Sequence, residues 1–291
     1  MPQLSVDDYL HSPVGVEFDR RYATAWSACE VDHITTVIES RWARTHVTVT
    51  GDPGADPIVL LPGAGATSAA WARAMGCLTR TGHRVIAPDL PGDPGLSVRY
   101  ASLAALPDLY AWLDDLLTQM EADSAGIVGH SYGAMVATGY VLTHPDRNAK
   151  LILLEPNSVF APISVRAAIR AAPLLARPSA RRLRAFYEWE SRGAAFDPGW
   201  IQLVEYAADS FPARRPLVPR RLDVTRLNAL GRSVSVLLAE NSRYHDAGKV
   251  RTRILNALPD ADVTTIGASH HMLPLQPAAK VNNAILAALG G

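Results

Sequence analysis

Short, uninterrupted apolar runs alternate with amphipathic stripes from about residue 45 to the C-terminus, and this alternation limits the fold more than any other feature. Residues 58–61, 84–88, 126–129, 151–154 and 234–238 carry few polar side chains, as strands covered on both faces do. Residues 263–266 are a further strand candidate. Residues 45–50 alternate polar with apolar and stop at Gly51-Asp52-Pro53-Gly54, a turn signal. Helical stripes lie between the strands. Leu109, Trp112, Leu113, Leu116, Leu117 and Met120 share one helix face, with Asp114 and Asp115 expected to point away. Val250, Ile254, Leu255 and Leu258 form a second stripe, and Val281, Ile285 and Leu289 a third. The stretch to about residue 42 reads as an edge helix and a lead-in strand. Strands alternating with helices predict an α/β fold, with a mostly parallel sheet and helices on both faces.

The 28 basic and 28 acidic residues cancel, so no whole-chain field draws the protein to nucleic acid or to an anionic membrane. Two cysteines, Cys29 and Cys77, are too few for a disulfide scaffold and too scattered for a metal site. The acidic N-terminus has no apolar core of a signal peptide, and no run of apolar residues is long enough to span a bilayer. The expectation is a soluble, cytoplasmic protein that meets a small-molecule substrate, with no nucleic acid or membrane as partner.

Residues 157–229 break the alternation. They contain no convincing buried strand, and the prolines at 162, 173, 178, 198, 212, 216 and 219 cut them into short helices. They carry 12 arginines against six acids, an excess of +6 that the rest of the chain cancels. They also hold eight aromatics: Phe160, Phe186, Tyr187, Trp189, Phe196, Trp200, Tyr206 and Phe211. The segment reads as a helical insertion over the carboxyl edge of the sheet. It reads as a structural cap with a solvated basic face and, compatibly, as a lid whose aromatics line an apolar pocket. The expected division is a core of residues 1–156 and 230–291 and a helical cap (lid) of residues 157–229.

Gly129-His130-Ser131-Tyr132-Gly133 fits G-x-S-x-G between an apolar strand and a helical run. A serine on such a turn is exposed to substrate, and the helix N-terminus supplies partial positive charge. Its hydroxyl needs a base to become a nucleophile. Gly267-Ala268-Ser269-His270-His271 follows the last strand, and His270 is the candidate base, with His271 a neighbouring wall residue. Two backbone N–H groups are needed for an oxyanion. Tyr132, directly after the serine, and Ala64, in Pro62-Gly63-Ala64-Gly65-Ala66, are the candidates.

The motifs, in this order, resemble the α/β-hydrolase superfamily, and most of all its bacterial serine carboxylesterases with a helical cap. Leu60-Leu61-Pro62-Gly63-Ala64-Gly65 is similar to the family's oxyanion segment. The loop from Ala87 to Ser97 resembles its next signature, with Asp93-Pro94 in place of a usual single His. The resemblance implies about eight strands with the cap inserted after strand six. It also implies an acid after the strand at 234–238, where Ser242 stands instead. A minority of the family takes the acid from the strand before the cap, which ends here at Leu154-Glu155-Pro156. Glu155 is therefore the favoured third member beside Ser131 and His270, with Asp246 and Glu240 as alternatives.

These groups predict acyl transfer to water with no metal or organic cofactor, on a carboxylic ester of a small, largely apolar substrate. The same nucleophile would serve a thioesterase, a lactonase, a carbon–carbon bond hydrolase or a secondary-metabolite cyclase. A weakly active small-ligand-binding protein on this scaffold is the reading from another class. Epoxide hydrolysis and dehalogenation are disfavoured, because those branches use a carboxylate where Ser131 stands. Gly63-Ala64-Gly65 lacks the third glycine of a dinucleotide fingerprint.

Overall fold

The computed structural model describes residues 5–147, 150–218, 222–229, 233–270 and 273–290. The chain enters through α1 (Val6–Leu10) and α2 (Pro13–Trp26), capped by the Ser5 and Ser12 side chains, which accept the N–H groups of Asp8 and Gly15. The strands follow in chain order: β1 (Ile34–Glu39), β2 (Ala43–Thr50), β3 (Pro57–Leu61), β4 (Arg84–Pro88), β5 (Val98–Arg99), β6 (Gly126–His130), β7 (Leu151–Leu154), β8 (Val234–Ala239) and β9 (Asp262–Ile266). They form one sheet in the order β1-β2-β4-β3-β6-β7-β8-β9, with β5 paired to β2 off this path. β1–β2 and β2–β4 are antiparallel, and every pairing from β4 to β9 is parallel.

Each apolar run seen in the sequence is a strand, because alternate residues feed two separate cores. Val59, Leu61, Ile127, Leu151, Leu153, Val236 and Leu238 pack on one face with α4 (Leu106–Gln119), α5 (Tyr132–Thr143) and α10 (Ala247–Ala257). Ile58, Leu60, Val128, Ile152, Leu154, Leu237 and Ala239 pack on the other with α2, α3 (Ala72–Arg80) and α11 (Ala278–Gly290). The predicted stripes on α4, α10 and α11 face these cores. Asp114 and Asp115 lie off the α4 stripe and are half-buried, and Asp114 accepts hydrogen bonds from the Tyr140 hydroxyl and the Arg147 guanidinium, both at 2.9 Å.

The expected eight strands form the main path, and β5 makes a ninth. The helical segment therefore follows the seventh strand in chain order. Two residues paired to a strand edge leave no periodic signal. The segment holds α6 (Val165–Ala176), α7 (Ala180–Ser191), α8 (Pro198–Ser210) and α9 (Thr225–Ala229). Leu183, Phe186, Tyr187, Trp200, Ile201 and Val204 from α7 and α8 pack against Ala70, Tyr244 and Leu275. Ala70 lies in a short 3-10 turn after β3, and Tyr244 and Leu275 lie in the loops after β8 and β9, so the helices rest on the carboxyl edge of the sheet.

From β3 the chain crosses to β4 on one side, and it returns as β6 on the other. The loops after β3 and β6 thus part at the carboxyl edge, where open α/β sheets place their ligand crevice.

Candidate active site

Ser131 occupies the sharp bend between β6 and α5, with φ 51° and ψ −108°. A non-glycine residue in this region stores strain, which the surrounding packing must hold. The flanking glycines are required by space. A Cβ on Gly133 would lie 2.3 Å from the Leu61 carbonyl oxygen, and one on Gly129 would lie 2.5 Å from that of Gly133. The bend therefore forms only where both side chains are absent, and it lifts Ser131 above the strand ends.

His270 follows β9 and is buried. Its Nε2 lies 2.9 Å from the Ser131 Oγ, and its Nδ1 lies 3.0 Å from Glu155 Oε2. Tyr244 stacks on the imidazole, ring centroids 4.1 Å apart and 17° between planes. Glu155 directly follows β7, with φ 45°, and is fully buried. Its Oε1 accepts the Ala239 N–H at 2.8 Å and lies 3.1 Å from His245 Nε2. Burial pushes the Glu155 carboxyl up, but hydrogen bonds from His245 and His270 outweigh it and hold the group well below the usual carboxylate range. It is an anion beside His270.

The structure brings Ser131, His270 and Glu155 together and leaves the other two acids out. Asp246 is exposed and caps α10, accepting the Lys249 N–H at 3.0 Å. Glu240 is exposed. Ser242, at the position the resemblance reserves for an acid, accepts the Tyr244 N–H at 3.2 Å. β7 and β8 are hydrogen-bonded neighbours, so taking the carboxylate from β7 moves its origin by one strand spacing, about 4.8 Å. His271 lies outside the described residues.

The cleft over Ser131 is lined by Gly63, Ala64, Ala66, Ala70, His130, Tyr187, Trp200 and Pro274. Ala64 thus borders the same space as the serine, and Tyr132 supplies the first N–H of α5. Neither N–H donates to another described residue. The Ala64 loop is fixed from behind, where the Gly65 N–H donates to Asp93 Oδ1 at 3.0 Å. Asp93, at the position of the family's usual His, has this anchoring contact instead.

Burial pushes the Asp93 carboxyl up to about 7, against the pull of the Gly65 N–H. An unfolded aspartate titrates near 4. Between about pH 4 and 7 the folded chain therefore binds more proton than the unfolded one, and stability falls as pH rises through that window. Asp93→Asn keeps an oxygen for the Gly65 N–H and removes the charge. It is expected to stabilise the fold by about 1–4 kcal/mol above pH ~7 and to change little near pH 4. Thermal melts of both proteins across that range check this.

Three contacting residues had no role in the sequence reading. His245 and Tyr244 flank the Glu155–His270 pair. Glu190, buried near the end of α7, accepts the His270 N–H at 2.7 Å and ties the helical segment to the His270 loop. No spacing rule joins residues 80 positions apart, so only the fold reveals that contact. Of the eight aromatics considered for the pocket, Tyr187 and Trp200 line the cleft, stacked 5.5 Å apart. Phe186, Trp189 and Phe196 pack within the helical cluster, and Phe211 packs against Tyr9 and Phe18.

Known proteins resemble the chain in sequence and in fold. The chain is 23% identical to carboxylesterase YbfK of Bacillus subtilis over 146 residues, 50% of this chain and 49% of that protein. The chain spans about half the length of the curated carboxylesterases it matches. It is 26% identical to a 2-hydroxy-6-oxononadienedioate/2-hydroxy-6-oxononatrienedioate hydrolase of Paraburkholderia phymatum, over 85% of this chain and 91% of that one. Its fold superposes on the crystal structure of naproxen esterase (carboxylesterase NP) from Bacillus subtilis with a TM-score of 0.86, at 22% identity over 95% and 98% of the two chains. The model of the alpha/beta hydrolase family matches residues 58–284, so the elbow at Ser131, the β7 end and the His270 loop all fall inside it, and the chain belongs to that family.

Proposed function

We propose that the protein is a serine hydrolase that cleaves a carboxylic ester of a small, largely apolar substrate through an acyl-enzyme. The reading rests on one observation, the buried relay from the Ser131 hydroxyl through His270 to the Glu155 carboxylate. Ser131 Oγ attacks the ester carbonyl while His270 Nε2 takes its proton. Glu155 fixes the tautomer by accepting from Nδ1 and stabilises the imidazolium that forms. The N–H groups of Tyr132 and Ala64 receive the oxyanion, and His270 then returns the proton to the leaving alcohol. Water repeats the sequence on the acyl-enzyme. The small side chains of Ala64, Ala66 and Ala70 and the rings of Tyr187 and Trp200 favour an apolar group in the cleft.

Hydrolysis of short p-nitrophenyl esters by the purified protein tests the proposal, with turnover expected to rise with pH along an acidic limb. Absence of turnover across chain lengths would refute it. A second reading keeps the same groups and replaces the ester by another acyl bond. The match to the dienedioate hydrolase over most of both chains favours it. Turnover of a hydroxy-oxo-dienedioate without turnover of simple esters would select it.

His245 bears on the same relay. Its Nε2 lies 3.1 Å from both Glu155 oxygens, while its buried Nδ1 has no hydrogen-bond partner among the described residues, so the ring donates to Glu155 through Nε2. His245→Ala removes one donor and leaves more of the Glu155 charge for His270, which then holds a proton more tightly. The acidic limb of kcat/KM is expected to move to higher pH, and the maximum to fall by about 10-fold. His245→Gln, which restores a donor, is expected to recover most of both. An unmoved limb in His245→Ala would show that the residue only packs.

A further inference from the structure

Helix α6 is apolar on both sides: Ala167, Ala171 and Leu174 pack inward, and the outward side carries large apolar residues too. Val165, Ile169 and Leu175 are 75%, 67% and 78% exposed. Ala168, Ala172, Pro173 and Ala176 on the same side are exposed as well, and Ala167 alone of its residues is fully buried. A helix at the surface of a globular protein normally points such residues at the core. Here Arg166 and Arg170 are the only polar side chains of the helix, and nothing among the described residues covers the exposed apolar ones.

Arginines border this face. Arg166 and Arg170 from α6 and Arg243 from the loop after β8 converge on the Trp189 ring, 5.9, 5.8 and 5.0 Å from its centroid. Arg177, Arg181 and Arg182, just past the end of α6, are exposed. None of these six forms an ion pair among the described residues. Apolar side chains facing out beside guanidinium groups that form no ion pair among the described residues match one kind of surface, an acyl layer under anionic headgroups. The zero net charge of the whole chain conceals the patch.

We propose that α6 and its flanking arginines seat the protein peripherally on an anionic phospholipid surface. A second copy fits less well, because a twofold contact through this face would set the arginines against their own images. A soluble ligand fits less well too, since the face is convex and ligand sites are concave. The contact is interfacial: α6 has 12 residues, about 18 Å of helix, and no described helix is long and apolar enough to cross a membrane. α7, against which α6 packs, carries Tyr187 into the Ser131 cleft. Docking through α6 sets that cleft close to amphiphilic molecules dissolved in the bilayer. The proposal does not depend on which bond is cleaved.

Sedimentation of the purified chain with vesicles is the test. We expect binding to an equimolar mixture of phosphatidylcholine and phosphatidylserine, little binding to phosphatidylcholine alone, and release by salt. The double variant Ile169→Glu, Leu175→Glu should weaken binding at least about tenfold, with the circular dichroism spectrum unchanged. Arg166→Gln with Arg170→Gln should weaken it by about tenfold or more and reduce its salt dependence. No binding to either vesicle overturns the proposal, as does binding that the Ile169, Leu175 variant retains. A concentration-dependent dimer that Ile169→Glu abolishes, without vesicle binding, also overturns it and assigns the face to a second copy.

Discussion

Ser131→Ala is expected to lower kcat for a short p-nitrophenyl ester by about 10⁴–10⁶-fold, with the fold unchanged. The size follows from the role. Without the hydroxyl no acyl-enzyme forms, and only the oxyanion donors and the cleft remain to assist water. Alanine leaves the contacts of Gly129 and Gly133 untouched, so the bend keeps its form. Initial rates, with circular dichroism as the control for folding, decide the matter. Wild-type turnover in the variant would remove Ser131 from the chemistry.

Glu155→Gln is expected to cost about 10³–10⁴-fold in kcat, while Asp246→Asn stays within about twofold of wild type. Glutamine fills the same space and can still accept the Ala239 N–H. It carries no charge to offset the imidazolium, and its amide can orient His270 in the wrong tautomer. Asp246, by contrast, caps α10, a role that asparagine also fills. Both variants and the wild type are compared by kcat and kcat/KM on one ester. The reverse order of effects would move the acid to the loop after β8.

Much of this was legible in the sequence because it is local. The β3, β6, β7 and β8 runs announce themselves by unbroken apolar character, which only a doubly covered strand tolerates. Ser131 is visible from its immediate neighbours: the G-x-S-x-G pattern is contiguous, although Gly133 answers to the distant Leu61 backbone and only Gly129 to a contact four residues away. Other features depend on long-range packing. β5 exists only because Val98 and Arg99 meet the start of β2. Glu155 could be favoured over Asp246 from its place at a strand end, but only the neighbouring position of β7 and β8 puts it beside His270. His245 and Glu190 reach the site from a loop and from α7, with no spacing to mark them. Aromatic enrichment in the helical segment pointed to a pocket, yet most of those rings build the segment's own core. The outward face of α6 was hidden by whole-chain averages of charge and hydropathy.

The claim beneath all of this is that the Ser131 hydroxyl is a nucleophile activated by His270. Reaction with a fluorophosphonate probe, followed by mass spectrometry of the digested protein, tests it most directly. The expected result is one stoichiometric adduct on the peptide that contains Ser131, absent in Ser131→Ala and slowed in Glu155→Gln. A folded wild-type protein that stays unlabelled, or that carries the adduct on another residue, would contradict the account.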